Sequence, residues 1–129
     1  MSEIALLLTA LLFGGMTLFS FGFAASLFHV FDTDTARKGL RGTFPLYYLF
    51  VIVCAAAACV PGFVISVPAG ITLLVIAVST AFARQVLMPR INAATDSGAT
   101  GAFKRLHGGS VVLQLVQIVA AGWALTAVA

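Results

Sequence analysis

Four long apolar segments, separated by short polar or proline-containing stretches, dominate the hydrophobic pattern of the chain. They cover about residues 4–28, 44–62, 68–88 and 106–128. A helix needs roughly 20 apolar residues to cross the hydrocarbon core of a bilayer, and these segments are close to that length. The pattern predicts an all-α integral membrane protein in which residues 1–129 form a single domain of four transmembrane helices.

Prolines punctuate these segments. Pro45 and Pro68 suit the first turn of a helix, where a missing N–H costs no hydrogen bond. Pro61 is expected to close the second segment, with a kinked continuation as the alternative, and that segment has an alternative start within the basic stretch before it. Pro89 follows the third segment. The polar stretch 89–101 is predicted to be a flexible loop, with a helical turn before it as a further possibility.

Composition supports a lipid environment and argues against a soluble enzyme. The chain is 61% hydrophobic and only 9% charged, with a mean hydropathy of +1.12. A soluble domain of this size needs far more polar surface. No glycine-rich phosphate loop, zinc pattern or nucleophile elbow occurs in the sequence. We therefore predict no catalytic residue.

The positions of the cations predict the orientation in the membrane. All seven Lys and Arg residues fall around the first and third connections: Arg37, Lys38, Arg41, Arg84, Arg90, Lys104 and Arg105. Short loops rich in Lys and Arg stay cytoplasmic. The sequence therefore predicts a bacterial inner-membrane protein with both termini on the non-cytoplasmic side. It also explains the net charge of +3 without a nucleic-acid partner.

Short connections favour an antiparallel up-down bundle of the four helices. In lipid, helices associate where small side chains let their backbones approach. The first segment carries such residues on one row with a four-residue spacing, interrupted only by Leu18: Ala10, Gly14, Gly22 and Ser26. This row is predicted to be a helix-packing face. Besides the lipid bilayer, a second copy or a larger membrane complex is the expected partner.

The two histidines are one candidate for a ligand site. His29 ends the first segment and His107 begins the fourth, on the same predicted side of the membrane. The first and fourth helices of an up-down bundle are neighbours, so the imidazoles are placed to ligate haem iron or a transition metal together. The alternative is that each is an ordinary polar residue at the membrane surface. A Soret band or bound metal in the purified protein distinguishes the two.

Polar residues recur along one face of the fourth segment. His107, Ser110, Gln114 and Gln117 are spaced by three or four residues, and Ala121 continues the row. We call these four polar residues the polar seam. In lipid such a stripe should face the bundle interior or a partner helix. The interpretation we favour is hydrogen-bonded packing between helices, and the alternative is the lining of a pathway.

Several stretches resemble a family of small membrane proteins, the domain of unknown function 4149, also called transmembrane-protein-205-like. They are "LFGGMTLFSFGFAASLFHVF", "RGTFPLYYL", "LMPRINAATD" and "FKRLHGGSVVLQ". The resemblance implies a small polytopic helical membrane protein without an assigned activity. Animal members are associated with tolerance to platinum drugs, which implies transport or secretion. A looser similarity to copper-resistance D and protoporphyrinogen-oxidase J proteins again concerns histidines in helical bundles.

Three hypotheses for the function follow. The first, favoured by the resemblance, is small-molecule or metal-ion transport or tolerance by an oligomer. The second is a haem- or metal-binding redox protein that uses His29 and His107. The third is a non-catalytic accessory subunit of a membrane complex. Uptake into proteoliposomes, a visible spectrum with metal analysis, and co-purifying partners distinguish them in turn.

Overall fold

Four long helices make up almost the entire chain. A computed structural model describes residues 1–129, and the helices span Ser2–Val30 (α1), Thr33–Ile65 (α2), Val67–Asp96 (α3) and Thr100–Val128 (α4). By length and composition each can cross a bilayer. The prediction of an all-α membrane protein with four transmembrane helices is confirmed.

Each helix packs against two neighbours, so the bundle is closed on itself. Helix α1 contacts α2 and α4, and α3 contacts the same two helices from the other side. Paired residues run in opposite sequence order. Between α1 and α4, for example, the Phe13 ring lies against Gly122, whereas Ser20 meets Gln114. The fourth helix therefore has neighbours on both sides, and its inner face looks into the centre of the bundle.

Small side chains fill much of the core, and large apolar side chains cover the outside. Alanines with little or no exposed surface recur at the helix contacts: Ala55, Ala58, Ala77, Ala121 and Ala124. Leu7, Leu18 and Val119 are instead about 70% exposed. This distribution suits a bundle whose outer surface faces hydrocarbon and whose interior depends on close backbone approach.

Two prolines lie inside α2, which corrects their predicted roles. Pro45 was expected to start a helix and Pro61 to close one, but α2 begins at Thr33 and ends at Ile65. The alternatives of an earlier start and a continuation past Pro61 therefore hold. A proline removes one backbone hydrogen bond, but without water the remaining backbone groups have no partner outside the helix. Helix thus persists on both sides of each proline.

Wider, π-helical segments interrupt α1 and α3. They cover Leu18–Phe23 and Ala83–Leu87. The second segment ends two residues before Pro89, which cannot donate to the carbonyl four residues earlier, within the segment. Helix continues beyond Pro89 to Asp96, which corrects the predicted flexible loop. Segments of this kind are frequent at functional sites, and the one in α1 contains Ser20 of the site described below.

The connections between the helices are short because polar side chains cap the starts of α2 and α3 and a glycine ends α3. The Asp32 carboxylate caps α2 by accepting from the Thr35 backbone N–H at 3.1 Å. This bond and one from the Thr35 hydroxyl lower the pKa of Asp32. A single residue, Ser66, joins α2 to α3. Gly98, with φ of 70°, ends α3 by letting the next N–H bond back to the Ala94 carbonyl at 3.0 Å.

The predicted small-residue row on α1 does not face another helix of the same chain. Ala10, Gly14 and Ser26 are exposed, and a Cβ at Gly14 would meet nothing within 4 Å. The inward glycine is Gly15, where a Cβ would lie 2.5 Å from Cε1 of Phe50. A role of the row in contacts beyond this chain therefore stays a prediction.

Glycine at position 70 should be required for the contact between α2 and α3. A Cβ there would overlap the Phe63 ring, and the nearest ring atom is Cγ, which is bonded to the Cβ of Phe63 and can move little. We expect Gly70→Ala to lower the free energy of unfolding by about 1–3 kcal/mol. The added methyl group can be accommodated only if the Phe63 ring or the backbone of one helix shifts. Thermal unfolding in detergent measures this.

The matched control is Gly14→Ala, which introduces the same methyl group into an open helical position. It should leave stability unchanged or raise it by up to about 1 kcal/mol through helix propensity. Equal losses in both variants would contradict the packing assigned to Gly70.

Candidate functional site

The polar seam of α4 meets a different helix at each level of the bundle. At the deepest level Gln117, which is 6% exposed, reaches α3. Its side-chain amide donates to Ser79 Oγ at 2.8 Å and to Thr80 Oγ1 at 3.0 Å. Both hydroxyls in turn donate to the backbone carbonyl of Ile76. The amide thus closes a small hydrogen-bonded network between α3 and α4.

Towards the N-terminal end of α4, the seam contacts α1 and α2. The Gln114 amide donates to the Ser20 hydroxyl, which lies in the π-helical segment of α1. Ser110 lies 3.4 Å from the Tyr48 hydroxyl of α2, and either oxygen can be the donor. Three consecutive seam residues therefore connect α4 to all three other helices. Bonds of this kind are what the favoured interpretation, hydrogen-bonded packing between helices, expects of the seam.

An aromatic cluster surrounds this part of the seam. The rings of Phe19 and Tyr47 stack with centroids 4.3 Å apart, and Phe44 packs edge-on against both. Tyr48 completes the cluster. Tyrosine is common in the aromatic belts at membrane surfaces, but Tyr47 and Tyr48 are each only 5% exposed. They face inward because they lie on the side of α2 that packs against α1 and the seam.

The Tyr47 hydroxyl is buried without a hydrogen-bond partner. Ser20 and Gln114 lie close to this hydroxyl and bond to each other. Elsewhere in the interior only Thr9, near the N-terminal end of α1, has a similarly orphaned hydroxyl. A buried polar group left unpaired costs about 1–3 kcal/mol, so each such group calls for a reason. Tyr47, Ser20 and Gln114 together are the candidate functional site.

The two histidines occupy exposed positions at one end of the bundle. His29 lies in the last turn of the α1 segment Ala24–Val30. His107 stacks on Phe103 of its own helix, with centroids 5.3 Å apart. Neither imidazole hydrogen-bonds within the chain, and no three His, Cys, Asp or Glu side chains form a group that could hold a metal ion. Joint ligation of haem or metal by His29 and His107 stays a prediction.

An ion pair joins α2 to α3 at the end that carries the basic residues. Arg41 donates two hydrogen bonds to the Asp96 carboxylate, at 2.7 and 2.9 Å. Both groups are well exposed and lie beyond the apolar part of their helices. The hydrogen bonds and the opposite charge of Arg41 lower the pKa of the Asp96 carboxyl. This carboxylate belongs to the stretch that carries the family resemblance.

The remaining cations also lie at this end, with one turned inward. Arg84 is half-buried in the π-helical segment of α3, and its Nε donates to the Pro45 carbonyl of α2 at 3.3 Å. Five others are exposed: Arg37, Lys38, Arg90, Lys104 and Arg105. Their shared location fits the charge asymmetry in the sequence.

Ser20, Ser79, Thr80 and Tyr47 were not recognised from the sequence as members of the site. Ser79 and Thr80 are adjacent polar residues inside the apolar run of α3, a weak signal that an inward-facing partner exists. Ser20 carries a similar signal in α1. The inward direction of Tyr47 has no counterpart in the hydrophobic pattern, because tyrosine is equally at home at a membrane surface.

Comparison with known families identifies the class to which this fold belongs. The profile of the domain of unknown function 4149 matches residues 7–100, which include most of α1 and all of α2 and α3. The chain therefore belongs to this family, and the resemblance noted in the sequence is confirmed. No curated protein matches the chain, and neither does any solved structure. Most of α4 and its seam lie beyond the matched residues.

Removing a seam amide should loosen the bundle. Gln117→Ala deletes the bonds to Ser79 and Thr80, and Gln114→Ala leaves the Ser20 hydroxyl without its donor. We expect each variant to lose about 1–2 kcal/mol of stability, the range of hydrogen bonds between membrane helices. Thermal or denaturant unfolding in detergent provides the measurement.

A matched control is Gln85→Ala, which removes the same amide from an exposed position where it bonds only to the neighbouring Arg84 and not to another helix. Its stability should stay within about 0.5 kcal/mol of the unchanged protein. If Gln114→Ala and Gln117→Ala are as stable as this control, the seam does not hold the helices together.

Proposed function

We propose that this protein is a small-molecule transport or tolerance protein of the bacterial inner membrane, with Tyr47, Ser20 and Gln114 as the solute contact. The observation that carries the proposal is the buried Tyr47 hydroxyl, which has no partner although two polar side chains lie beside it. A solute that bonds to this hydroxyl would complete the network. The family relationship fits this general class but assigns no substrate.

The chemistry of the interior favours an uncharged solute with hydrogen-bonding groups. The side chains of the polar network are hydroxyls and amides on all four helices: Ser20, Tyr47, Tyr48, Ser79, Thr80, Ser110, Gln114 and Gln117. Such groups exchange one neutral hydrogen bond for another at low cost. A charged solute would instead lose its hydration without gaining an opposite charge.

The depth of the polar groups suggests that solute enters from the end where the cations lie. Tyr48 and Ser110 are nearest that end, and Gln117 lies farther in. Beyond Gln117 the inner face of α4 continues with buried Ala121, Ala124 and Val128. Passage across this apolar half requires rearrangement within the bundle or a second copy beside it. A homo-oligomer fits because a bundle of four helices encloses little space of its own.

The proposed orientation places both termini on the non-cytoplasmic side. The support is the clustering of Lys and Arg at the opposite end, since such residues are retained in the cytoplasm. A fluorescent protein fused after Ala129 should therefore stay dark if it folds only in the cytoplasm. A phosphatase that folds only outside the cytoplasm should be active at the same position. The reverse pattern would show that the orientation is inverted.

Tyr47→Phe should separate solute contact from stability. Proteoliposomes swell as a neutral solute enters them. We follow this swelling by stopped-flow light scattering, with glycerol and urea as the probes. We expect the protein to accelerate swelling over protein-free vesicles, and Tyr47→Phe to remove most of this excess. The same change should leave stability unchanged or higher, because the lost hydroxyl has no partner in the bundle.

Tyr48→Phe is the matched control, because its hydroxyl already has Ser110 as a partner. It should keep most of the excess permeability. Swelling no faster than in protein-free vesicles would reject transport of neutral solutes. Equal permeability of Tyr47→Phe and the unchanged protein would reject Tyr47 as the contact.

A further inference from the structure

A groove of about 500 Å³ lies between the end of α3 and the start of α4. Two arginines line it, Arg90 from α3 and Arg105 from α4, together with the Ser97 side chain from the connection between them. The rest of its wall is mainly apolar and includes Ala93, Ala102 and Leu106. Two cations from different helices thus share one concave surface with a hydroxyl and an apolar wall.

Neither arginine in the groove has an acidic partner. Arg41 and Asp96 form the chain's one ion pair, so the carboxylate nearest to Ser97 along the chain is already engaged. Lys104, next to Arg105, adds a further positive charge at this end of α4. The first turn of α4 also lacks a side-chain cap, which leaves the local field favourable to an anion. The groove is therefore an electropositive recess without a counter-charge.

The groove lies at the depth of the lipid headgroups. Arg90 follows the apolar segment of α3 by two residues, and Arg105 precedes that of α4 by one. At this depth a guanidinium meets the phosphates of the adjacent leaflet. Guanidinium groups match phosphate oxygens in geometry and charge, and basic pockets between membrane helices bind anionic headgroups. The apolar wall suits the glycerol and upper acyl chains of a lipid better than a water-soluble phosphate.

We propose that this groove is a binding site for the phosphate headgroup of an anionic lipid, held by Arg90 and Arg105. The bound lipid would connect the end of α3 to the start of α4 across their short connection. This site is separate from Tyr47, Ser20 and Gln114, and its occupancy does not depend on the proposed transport.

Native mass spectrometry of the purified full-length protein tests the site. Phosphatidylglycerol and phosphatidylcholine are titrated in parallel, and bound lipid is counted. We expect clear preference for phosphatidylglycerol. Charge attraction of the usual size implies about fivefold weaker binding for Arg90→Gln or Arg105→Gln alone, and about 25-fold for both together. If the double variant does not fold, the two single variants still test the proposal.

The matched control is Arg37→Gln with Lys38→Gln, which removes two positive charges from the same end of the bundle but outside the groove. It should bind phosphatidylglycerol within about twofold of the unchanged protein, since these charges do not line the site. An equal loss in this control would mean general surface attraction and would overturn the proposal. Displacement of the lipid by excess inorganic phosphate would also overturn it, by indicating a soluble phosphate ligand.

Discussion

Hydrogen bonding in the absence of water is the constraint on which this structure depends. A polar group inside a bilayer must find its partner within the protein, because lipid offers none. The seam of α4 meets this requirement by reaching a different helix at each level, through Ser110, Gln114 and Gln117. Apolar packing cannot select one arrangement of helices in lipid, since lipid is equally apolar. The seam therefore adds specificity that the alanine-rich contacts lack.

The same constraint explains why the helices continue through residues that would end them in water. Pro45 and Pro61 lie within α2, and Pro89 lies within α3. At one of these prolines the backbone also bonds to another helix, since Arg84 of α3 donates to the Pro45 carbonyl. The π-helical segment before Pro89 places Arg84 in that position. Backbone irregularity and side-chain position are thus linked at the end of the bundle that carries the cations.

Against this background of satisfied groups, the Tyr47 hydroxyl is the exception beside the seam. It is surrounded by the aromatic rings of Phe19, Phe44 and Tyr48, and it lies beside a pair of polar groups that bond to each other. An exception of this kind inside an otherwise paired network is a reason to look for a ligand. The arginine groove is a second unpaired feature, but it lies at the headgroup level and involves charge rather than neutral polarity.

The sequence by itself determined the class of protein, the four helices and the clustering of the cations. Those features follow from composition and from the length of apolar segments, which act locally along the chain. It also identified the seam, because residues spaced by three or four share a helix face. Only the tertiary structure decided which partners the seam meets, that Tyr47 and Tyr48 turn inward, and that Gly15 rather than Gly14 packs against a neighbour. These features depend on the rotation of each helix about its axis, which packing between helices determines and a single hydrophobic pattern does not encode.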